Sequence, residues 1–331
     1  GGAGFIGGHV TRLLVEAGRE VRVLHLPGED LRNIEGLDVE RVAGDVTVPG
    51  DCTRAIAGCD VVYHLAAIYA LWLPRPARMR EVNVGGTRNL LRAAADAGVL
   101  RVVHTSTIGC FGGQGAGFDA TEESPFALPM DAYTRTKREA HEVAVDFARA
   151  GLDVVIAAPC GPIGPGDVGP TPTGKLLLSI VNLPAAFLID TESNMVDVRD
   201  VARGHLLAEA RGKTGETYLL GNRNLSLREL ATMAREIAGV RKPIVEVPAA
   251  VAEAAALPML WYADRVSHRA PLLTPSAVAI GRLGLRANAA KAVRELGLPQ
   301  TPIETAVRDA LAWFAARGYI KDRAVRRRLA A

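Results

Sequence analysis

Cysteine is scarce in this sequence, and its few copies are not arranged as metal ligands or as a disulfide framework. The four cysteines among 331 residues include no Cys-x-x-Cys pair, and no histidines stand beside them at ligand spacing. Zinc-binding and disulfide-rich classes are therefore excluded, no metal site is predicted, and a reducing compartment is favoured.

Long apolar runs and a large excess of one charge are also absent. The most apolar stretch, residues 247–261, is interrupted by Pro248, Glu253 and Pro258, and it is shorter than the ~20 residues of a bilayer-spanning helix. The 39 Lys and Arg against 36 Asp and Glu leave a net charge of +3, too little to indicate binding to a phosphate backbone. We therefore predict no membrane span and no nucleic-acid partner. Because the sequence opens on Gly1 without the features of a secretory signal, the cytoplasm is the expected location.

What the sequence does contain is a regular alternation of strand and helix patterns. Hydrophobic residues make up 49% and charged residues 23%, which suffices for a substantial core. Short runs rich in β-branched residues predict strands at 21–24, 39–42, 61–65, 101–104 and 154–157. Longer apolar patterns predict helices at 8–17, 83–97 and 131–150. This succession is typical of an α/β protein with a doubly wound parallel sheet of the Rossmann type.

The predicted sheet lacks its usual first strand. A Rossmann sheet begins with an apolar strand that leads into a glycine-rich turn, whereas this sequence starts on the turn itself, at Gly1. Because that strand lies at the centre of the sheet, we expect a short N-terminal piece of the protein to be missing from the sequence.

Three glycines precede the first predicted helix. Gly1, Gly4 and Gly7 form a Gly-x-x-Gly-x-x-Gly pattern. Glycines let the backbone turn tightly and approach a pyrophosphate, whose charge is then met by free N–H groups at the helix N-terminus. A glycine-rich turn with only a packing role is the alternative.

A tyrosine and a lysine lie one helical turn apart in the predicted helix 131–150. Because Tyr133 and Lys137 are four residues apart, their side chains leave the same face. A phenol with a pKa of about 10 is a poor acid or base at neutral pH, and a neighbouring ammonium lowers that pKa. Lys137 could do this while also holding a ribose hydroxyl. A buried tyrosine beside a solvated lysine is the alternative interpretation.

Together with several further segments, these motifs resemble the extended short-chain dehydrogenases/reductases, the NAD-dependent epimerase/dehydratase family. The segments that carry the resemblance along almost the whole chain are Gly1–Gly7, Asp45, the His-Leu-Ala-Ala of 64–67, the Asn-Val-Gly-Gly-Thr of 83–87, the Thr-Ser-Thr of 105–107, and Tyr133 with Lys137. Later segments resemble the branch of dihydroflavonol-4-reductase-like and hopanoid-associated sugar epimerase-like proteins; they are 159–167, 170–174 and 221–222.

The resemblance implies a catalytic set. Tyr133 would be the general acid/base, Lys137 would modulate its pKa and bind ribose, and Thr107 would hydrogen-bond the substrate oxygen. Thr107 is preferred to the adjacent Ser106 because of its spacing to the aromatic-glycine pair at 111–112. Asn83 matches the family's helix asparagine, although an asparagine that caps the helix is an equal alternative.

The resemblance also implies a cofactor site. Asp45 and Val46 would border the adenine, although Asp45 could equally be a turn residue. Ala66 and Ala67 would pass close to the pyrophosphate and ribose, and Pro159 would line the nicotinamide. The remaining predicted cofactor-binding residues are Gly1, Gly4, Phe5, Ile6, Gly7, His25, Arg32, Leu65, Thr105, Tyr133, Lys137 and Ile163.

The end of the second strand of such a sheet normally carries an acidic residue that binds the adenosine ribose of NAD. Here His25-Leu26-Pro27 stands at that strand end, while Arg32 lies a few residues on and could pair with a 2′-phosphate. Glu29 and Asp30 are close to it. NADP(H) is therefore favoured over NAD(H).

The chain is expected to divide into two parts. A Gly/Pro cluster at 161–166 ends the strand-helix alternation. We predict a dinucleotide-binding Rossmann domain over 1–166, rejoined by about 191–222, and a smaller C-terminal substrate-binding lobe over 167–190 and 223–331. Helices 83–97 and 131–150, which pair between subunits in many relatives of this family, are consistent with a homodimer.

Two departures bear on the substrate. Nucleotide-sugar epimerases of the family carry an Arg-x-Phe-Asn segment and a further arginine that contact the diphosphate, whereas Gly161 and Ser193 stand at the corresponding places here. Lys175 or Arg199 could still approach a diphosphate. The favoured reaction is hydride transfer between a nicotinamide cofactor and a ketone or secondary alcohol of a small molecule. The alternatives are an epimerase of nucleotide sugars with tightly bound NAD and a non-catalytic sensor of dinucleotides.

Overall fold

The computed structural model describes residues 1–113, 115, 117–127 and 131–330. The strands are β1 Arg22–His25, β2 Glu40–Ala43, β3 Val61–His64, β4 Arg101–Thr105, β5 Val154–Pro159, β6 Gly161–Ile163, β7 Ala186–Leu188, β8 Glu192–Asp197, β9 Thr217–Leu220, β10 Arg223–Ser226 and β11 Ile244–Glu246. The helices are α1 Phe5–Glu16, α2 Pro49–Ile56, α3 Pro76–Arg80, α4 Thr87–Asp96, α5 Ala132–Arg149, α6 Pro172–Asn182, α7 Val198–Arg211, α8 Leu227–Ala238, α9 Ala249–Tyr262, α10 Pro275–Leu283, α11 Ile303–Ala316 and α12 Arg323–Ala330.

The first part of the chain builds parallel sheets covered by helices. Strands β3, β4, β5 and β9 form a four-stranded sheet in which all neighbours are parallel, and β1 pairs with β2 in parallel. Strand β5 is buried along its whole length, because helices cover both faces of such a sheet. The α/β class and the five predicted strands are confirmed, each strand to within two residues.

A cleft separates the two sheets. It has a volume of about 880 Å³, and its lining includes Val23 of β1, Val62 of β3 and Gly1. The expected strand ahead of Gly1 stays a prediction.

The second part of the chain has its own core. Strands β10, β8 and β6 form one sheet and β11 pairs with β7. Leu177 of α6, Leu230 of α8, and Leu311 and Phe314 of α11 pack in one buried cluster. Helices α9 and α10 pack in a separate small cluster. Among the described residues, no helix is long and apolar enough to cross a membrane.

Candidate active site

The glycine turn leads directly into α1. The Gly4 amide donates to the Gly1 carbonyl at 3.1 Å, and the first helical bond runs from the Gly8 amide to the Gly4 carbonyl at 2.8 Å. A Cβ on Gly7 would lie 1.9 Å from the Gly1 oxygen, and one on Gly1 would lie 2.5 Å from the Ala66 nitrogen. Only glycine allows this approach of the turn to its own start and to the end of β3.

The first turn of α1 suits an anion. It carries no acidic residue and no side-chain cap, so the amides of Phe5, Ile6 and Gly7 are available to a ligand. Free amides and the positive end of the helix dipole bind phosphate groups. The turn therefore fits the diphosphate of a dinucleotide.

A cavity of about 630 Å³ extends from the glycine turn, past the carboxyl ends of β1, β3, β4 and β5, to the second lobe. The predicted site residues that line it are Gly1, Gly4, Phe5, Ile6, Gly7, His25, Asp45, Val46, Leu65, Ala66, Ala67, Thr105, Thr107, Tyr133, Lys137 and Pro159. The structure thus brings sixteen of the predicted residues around one space.

Three predicted residues lie elsewhere. Arg32 is an exposed side chain whose Nη2 atom lies 2.6 Å from Oδ2 of Asp30. Ile163 is only 2% exposed and packs in the core of the second lobe. It forms part of β6, and its side chain is directed into that core rather than toward the cavity. Asn83 is buried below the cavity, in the π-helical turn before α4.

Asn83 ties three segments together. Its Oδ1 accepts from the Ile68 amide at 2.7 Å, and its Nδ2 donates to the Ile68 carbonyl at 3.2 Å and to Thr136 Oγ1 at 3.1 Å. These bonds run to the loop after β3 and to α5 rather than to the first turn of its own helix. Asn83 is therefore placed to position the segments that carry other site residues.

Helix α5 presents Tyr133 and Lys137 to the cavity. Asp131 caps the helix, with Oδ1 accepting from the Tyr133 amide at 2.7 Å and the Thr134 amide at 2.9 Å. Lys137 is 5% exposed, and its Nζ donates to the Thr105 carbonyl at 2.8 Å. The cap and this bond fix the register of α5 against the end of β4.

The structure distinguishes the two hydroxyl candidates beside Tyr133. Thr107 lies with Tyr133 in the lining of the cavity, and its Oγ1 accepts from the Gly109 amide at 3.2 Å. Ser106 is buried and hydrogen-bonded to His141 Nδ1 at 3.0 Å. Both residues line the cavity, so what sets Ser106 apart is its bond to the histidine.

Burial has the largest effect on the pKa values of Tyr133 and Lys137. It raises the pKa of Tyr133 well above its usual value, with a further contribution from Tyr69, while the nearby Thr107 hydroxyl acts in the opposite direction. Burial also lowers the pKa of Lys137 to about 8. The expected lowering of the phenol pKa by the ammonium is therefore outweighed in this structure by the loss of hydration. At neutral pH, Tyr133 holds its proton and Lys137 is mostly charged.

The second lobe supplies one wall of the cavity, and the sequence motifs did not indicate most of its residues. Ile280 and Gly281 of α10, Leu285 and Leu176 line the cavity opposite the glycine turn. Tyr69, in the loop after β3, packs against Tyr133 with ring centroids 4.9 Å apart and ring planes tilted by 41°. No short motif marked α10 or Tyr69, because both reach the site through long-range packing.

Charged residues are confined to one half of the cavity. Those that line it in the described part of the chain are Glu29, Asp45, Arg78 and Lys137, all from the Rossmann part. Arg78 Nη2 lies 2.5 Å from Asp45 Oδ2. Arg199 is engaged by Asp197 at 2.5 Å and Asp309 at 2.7 Å, and Lys175 is exposed on α6. The wall formed by the second lobe is uncharged.

Known proteins are similar to this chain in sequence and in fold. The chain is 38% identical over 330 residues to a putative dihydroflavonol 4-reductase of Synechocystis sp., covering 97% of this chain and 95% of the relative. It is 32% identical over 324 residues to sterol demethylase protein B of Methylococcus capsulatus, covering 97% and 98%. The crystal structure of gox2253 superposes with a TM-score of 0.84 at 36% identity, covering 96% of this chain and 97% of that one.

A family model confirms the resemblance to the extended short-chain dehydrogenases/reductases. The model of the NAD dependent epimerase/dehydratase family matches residues 1–221, which include the glycine turn, Tyr133 and Lys137. This chain belongs to the NAD dependent epimerase/dehydratase family.

Proposed function

We propose that the protein transfers a hydride between a nicotinamide dinucleotide and a ketone or secondary alcohol of a largely apolar small molecule. Membership of the family makes it an NAD(P)-dependent enzyme. The observation that carries the choice of reaction is the uncharged wall of the second lobe, which lines the same cavity as the Tyr133 phenol. A phenol that keeps its proton at neutral pH acts as an acid, and an acid is what ketone reduction needs.

The residues present suit the cofactor. The amides of the glycine turn would bind its diphosphate, Asp45 and Val46 would border the adenine, and Lys137 would bind the ribose next to the nicotinamide. When bound, the nicotinamide supplies or accepts the hydride.

Side chains of the protein would carry out the proton transfer. Tyr133 Oη would donate its proton to the substrate oxygen as that oxygen gains charge, and Thr107 Oγ1 would hold the same oxygen in place. The ammonium of Lys137 would favour the tyrosinate that remains. In the reverse direction the tyrosinate would take the proton of the alcohol.

The wall of the second lobe sets the expected substrate class. We expect alicyclic or aromatic ketones to support oxidation of the reduced cofactor, and UDP- and dTDP-hexoses to undergo no epimerisation, because the wall offers no cation for a diphosphate. The Ile280→Ser variant should lower kcat/KM for an alicyclic ketone by about tenfold or more. Val293→Ser, at a half-exposed site away from the cavity, is the matched control.

Incubation with both panels, followed by product analysis, decides between the reactions. Epimerisation of a nucleotide sugar at an ordinary enzymatic rate, with no ketone-dependent oxidation of cofactor, would replace the proposal with the epimerase alternative.

Cofactor preference depends on the end of β1. The predicted preference for NADP(H) rests on Arg32, which is held by Asp30 in the structure, while Glu29 borders the cavity and accepts from the Leu26 amide at 2.9 Å. A 2′-phosphate would have to displace Asp30 from Arg32. We therefore expect the wild type to favour NADP(H) by less than about tenfold, since an exposed ion pair is worth little.

The Asp30→Asn variant tests this contact. Removing the carboxylate frees Arg32, so the ratio of the dissociation constants of NADPH and NADH should shift further toward NADPH. Asp38→Asn, an exposed carboxylate nearby in sequence, controls for the change of net charge. A clear preference for NADH in both the wild type and Asp30→Asn would show that Arg32 does not bind the phosphate.

A further inference from the structure

The outer side of α9 and the turn that follows it expose an unusual amount of apolar surface. Leu257 is 59% exposed, Trp261 63% and Leu272 84%. The other exposed large apolar residues here are Val251, Met259, Tyr262 and Val266. We call this set of seven residues the α9 surface. Several large apolar side chains exposed within one segment are typical of a binding site on a folded protein.

The packing of α9 inside the protein does not account for its apolar sequence. Its buried residues are the small Ala252 and Ala256, which pack with Val278 of α10. Ala254, Leu257 and Trp261 follow each other at intervals of three and four, so they share a face that points away from this contact. A surface helix normally carries polar residues on that face. Within α9, Glu253 is the single charged residue.

Arginines outnumber carboxylates beside the α9 surface, with Arg265, Arg269 and Arg282 against Glu253 and Asp264. Arg265 and Arg269 follow Trp261 and are exposed, and neither forms an ion pair within the described ranges. The neighbouring carboxylates each have a partner within the protein. Glu253 lies 3.5 Å from Arg282, and Asp264 accepts a hydrogen bond from Trp72 Nε1 at 2.7 Å. The two free arginines therefore favour an anionic partner.

We propose that the α9 surface binds the face of a lipid bilayer that contains anionic lipids. Tryptophan and tyrosine at the edge of an apolar surface, followed by arginines, is the combination that suits the boundary between acyl chains and headgroups. The protein lies on the bilayer in this arrangement, with the apolar residues inserted and Arg265 and Arg269 at the headgroups.

The α9 surface is joined to the candidate active site through α10. Helix α10 packs against α9 and lines the cavity through Ala277, Ile280 and Gly281. Trp72, which donates a hydrogen bond to Asp264, lies in the same loop as Tyr69. The ring of Tyr69 packs against that of Tyr133. Binding at the α9 surface thus brings the uncharged wall of the cavity close to the acyl chains, from which an apolar substrate could enter.

Flotation with vesicles tests the proposal. We expect the wild-type protein to float with vesicles of phosphatidylcholine and phosphatidylglycerol, and at least about tenfold less with phosphatidylcholine alone. Leu257→Ser/Trp261→Ser and Arg265→Gln/Arg269→Gln should each lower the partition coefficient on the anionic vesicles by about tenfold or more. Leu100→Ser, 69% exposed in the turn before β4, is the control and should bind as the wild type does.

The outcomes separate lipid binding from other uses of the surface. Failure of the folded wild type to bind anionic vesicles, or equal binding by all four proteins, would overturn the proposal. Light scattering without lipid provides a second readout. A dimer that Leu257→Ser/Trp261→Ser dissociates, combined with no vesicle binding, would assign the surface to self-association instead. Because flotation needs no turnover, its result is independent of the proposed reaction.

Discussion

Replacing Tyr133 with phenylalanine is expected to lower kcat for ketone reduction by about 10²- to 10⁴-fold, the usual contribution of a positioned acid. The ring keeps its place against Tyr69, 4.9 Å away, so the shape of the cavity is retained. What is lost is the transferable proton of the phenol. The dissociation constant of the cofactor should therefore stay within a few fold, and a split between kcat and binding is the expected signature.

Tyr63→Phe is the matched control for this variant. Tyr63 also hydrogen-bonds through its hydroxyl, to Glu209, but it lies outside the cavity on β3. Loss of that hydroxyl should leave kcat unchanged. If Tyr133→Phe retained most of the wild-type activity, another group would have to supply the proton. If the wild type bound the dinucleotide tightly and turned over no ketone, alcohol or nucleotide sugar, the sensor alternative would apply.

The parts of the site that could be predicted are those encoded over a few neighbouring residues. The glycine turn is one, since the Cβ contacts of Gly1 and Gly7 exclude other residues. The pair Tyr133 and Lys137 is another, because helical spacing alone puts both on one face. The strands β3, β4 and β5 were also predictable, since buried parallel strands are nearly continuous apolar runs.

The second lobe was harder to predict because its elements depend on distant partners. Strands β6, β7 and β11 have three residues each, too few for a periodic pattern. The segment Ala292–Leu296 is π-helical, so it does not follow the usual repeat of 3.6 residues per turn. Helix α10 contains Gly281, yet its packing on α9 makes it a wall of the cavity.

Protonation could not be predicted from spacing either. Spacing puts an ammonium near Tyr133 but carries no information on how much water each group loses. In the structure Lys137 is 5% exposed and its Nζ donates to Thr105. Burial then acts on both groups, and it disfavours the charged form of each.

Lys137→Met is expected to weaken cofactor binding by about 10- to 100-fold, because a hydrogen bond from a charged donor is worth ~1.5–3 kcal/mol. It should also lower kcat, since no ammonium remains to favour the tyrosinate. Methionine fills the volume of the lysine stem, and the lost bond to Thr105 is offset by removal of a charge whose pKa is lowered by burial. Thermal unfolding should therefore stay close to that of the wild type, which distinguishes loss of function from loss of fold.

The pH dependence of the wild type identifies the role of Lys137 independently. Its pKa is lowered to about 8 in the folded protein, so the ammonium is present below pH 8 and is lost as the pH rises through it. We expect kcat/KM for ketone reduction, measured on the free enzyme, to fall across that range. In Lys137→Met this limb should disappear, because the ammonium that titrates there has been removed. An unchanged limb in the variant would assign the titration to another group and would remove Lys137 from the proposed role.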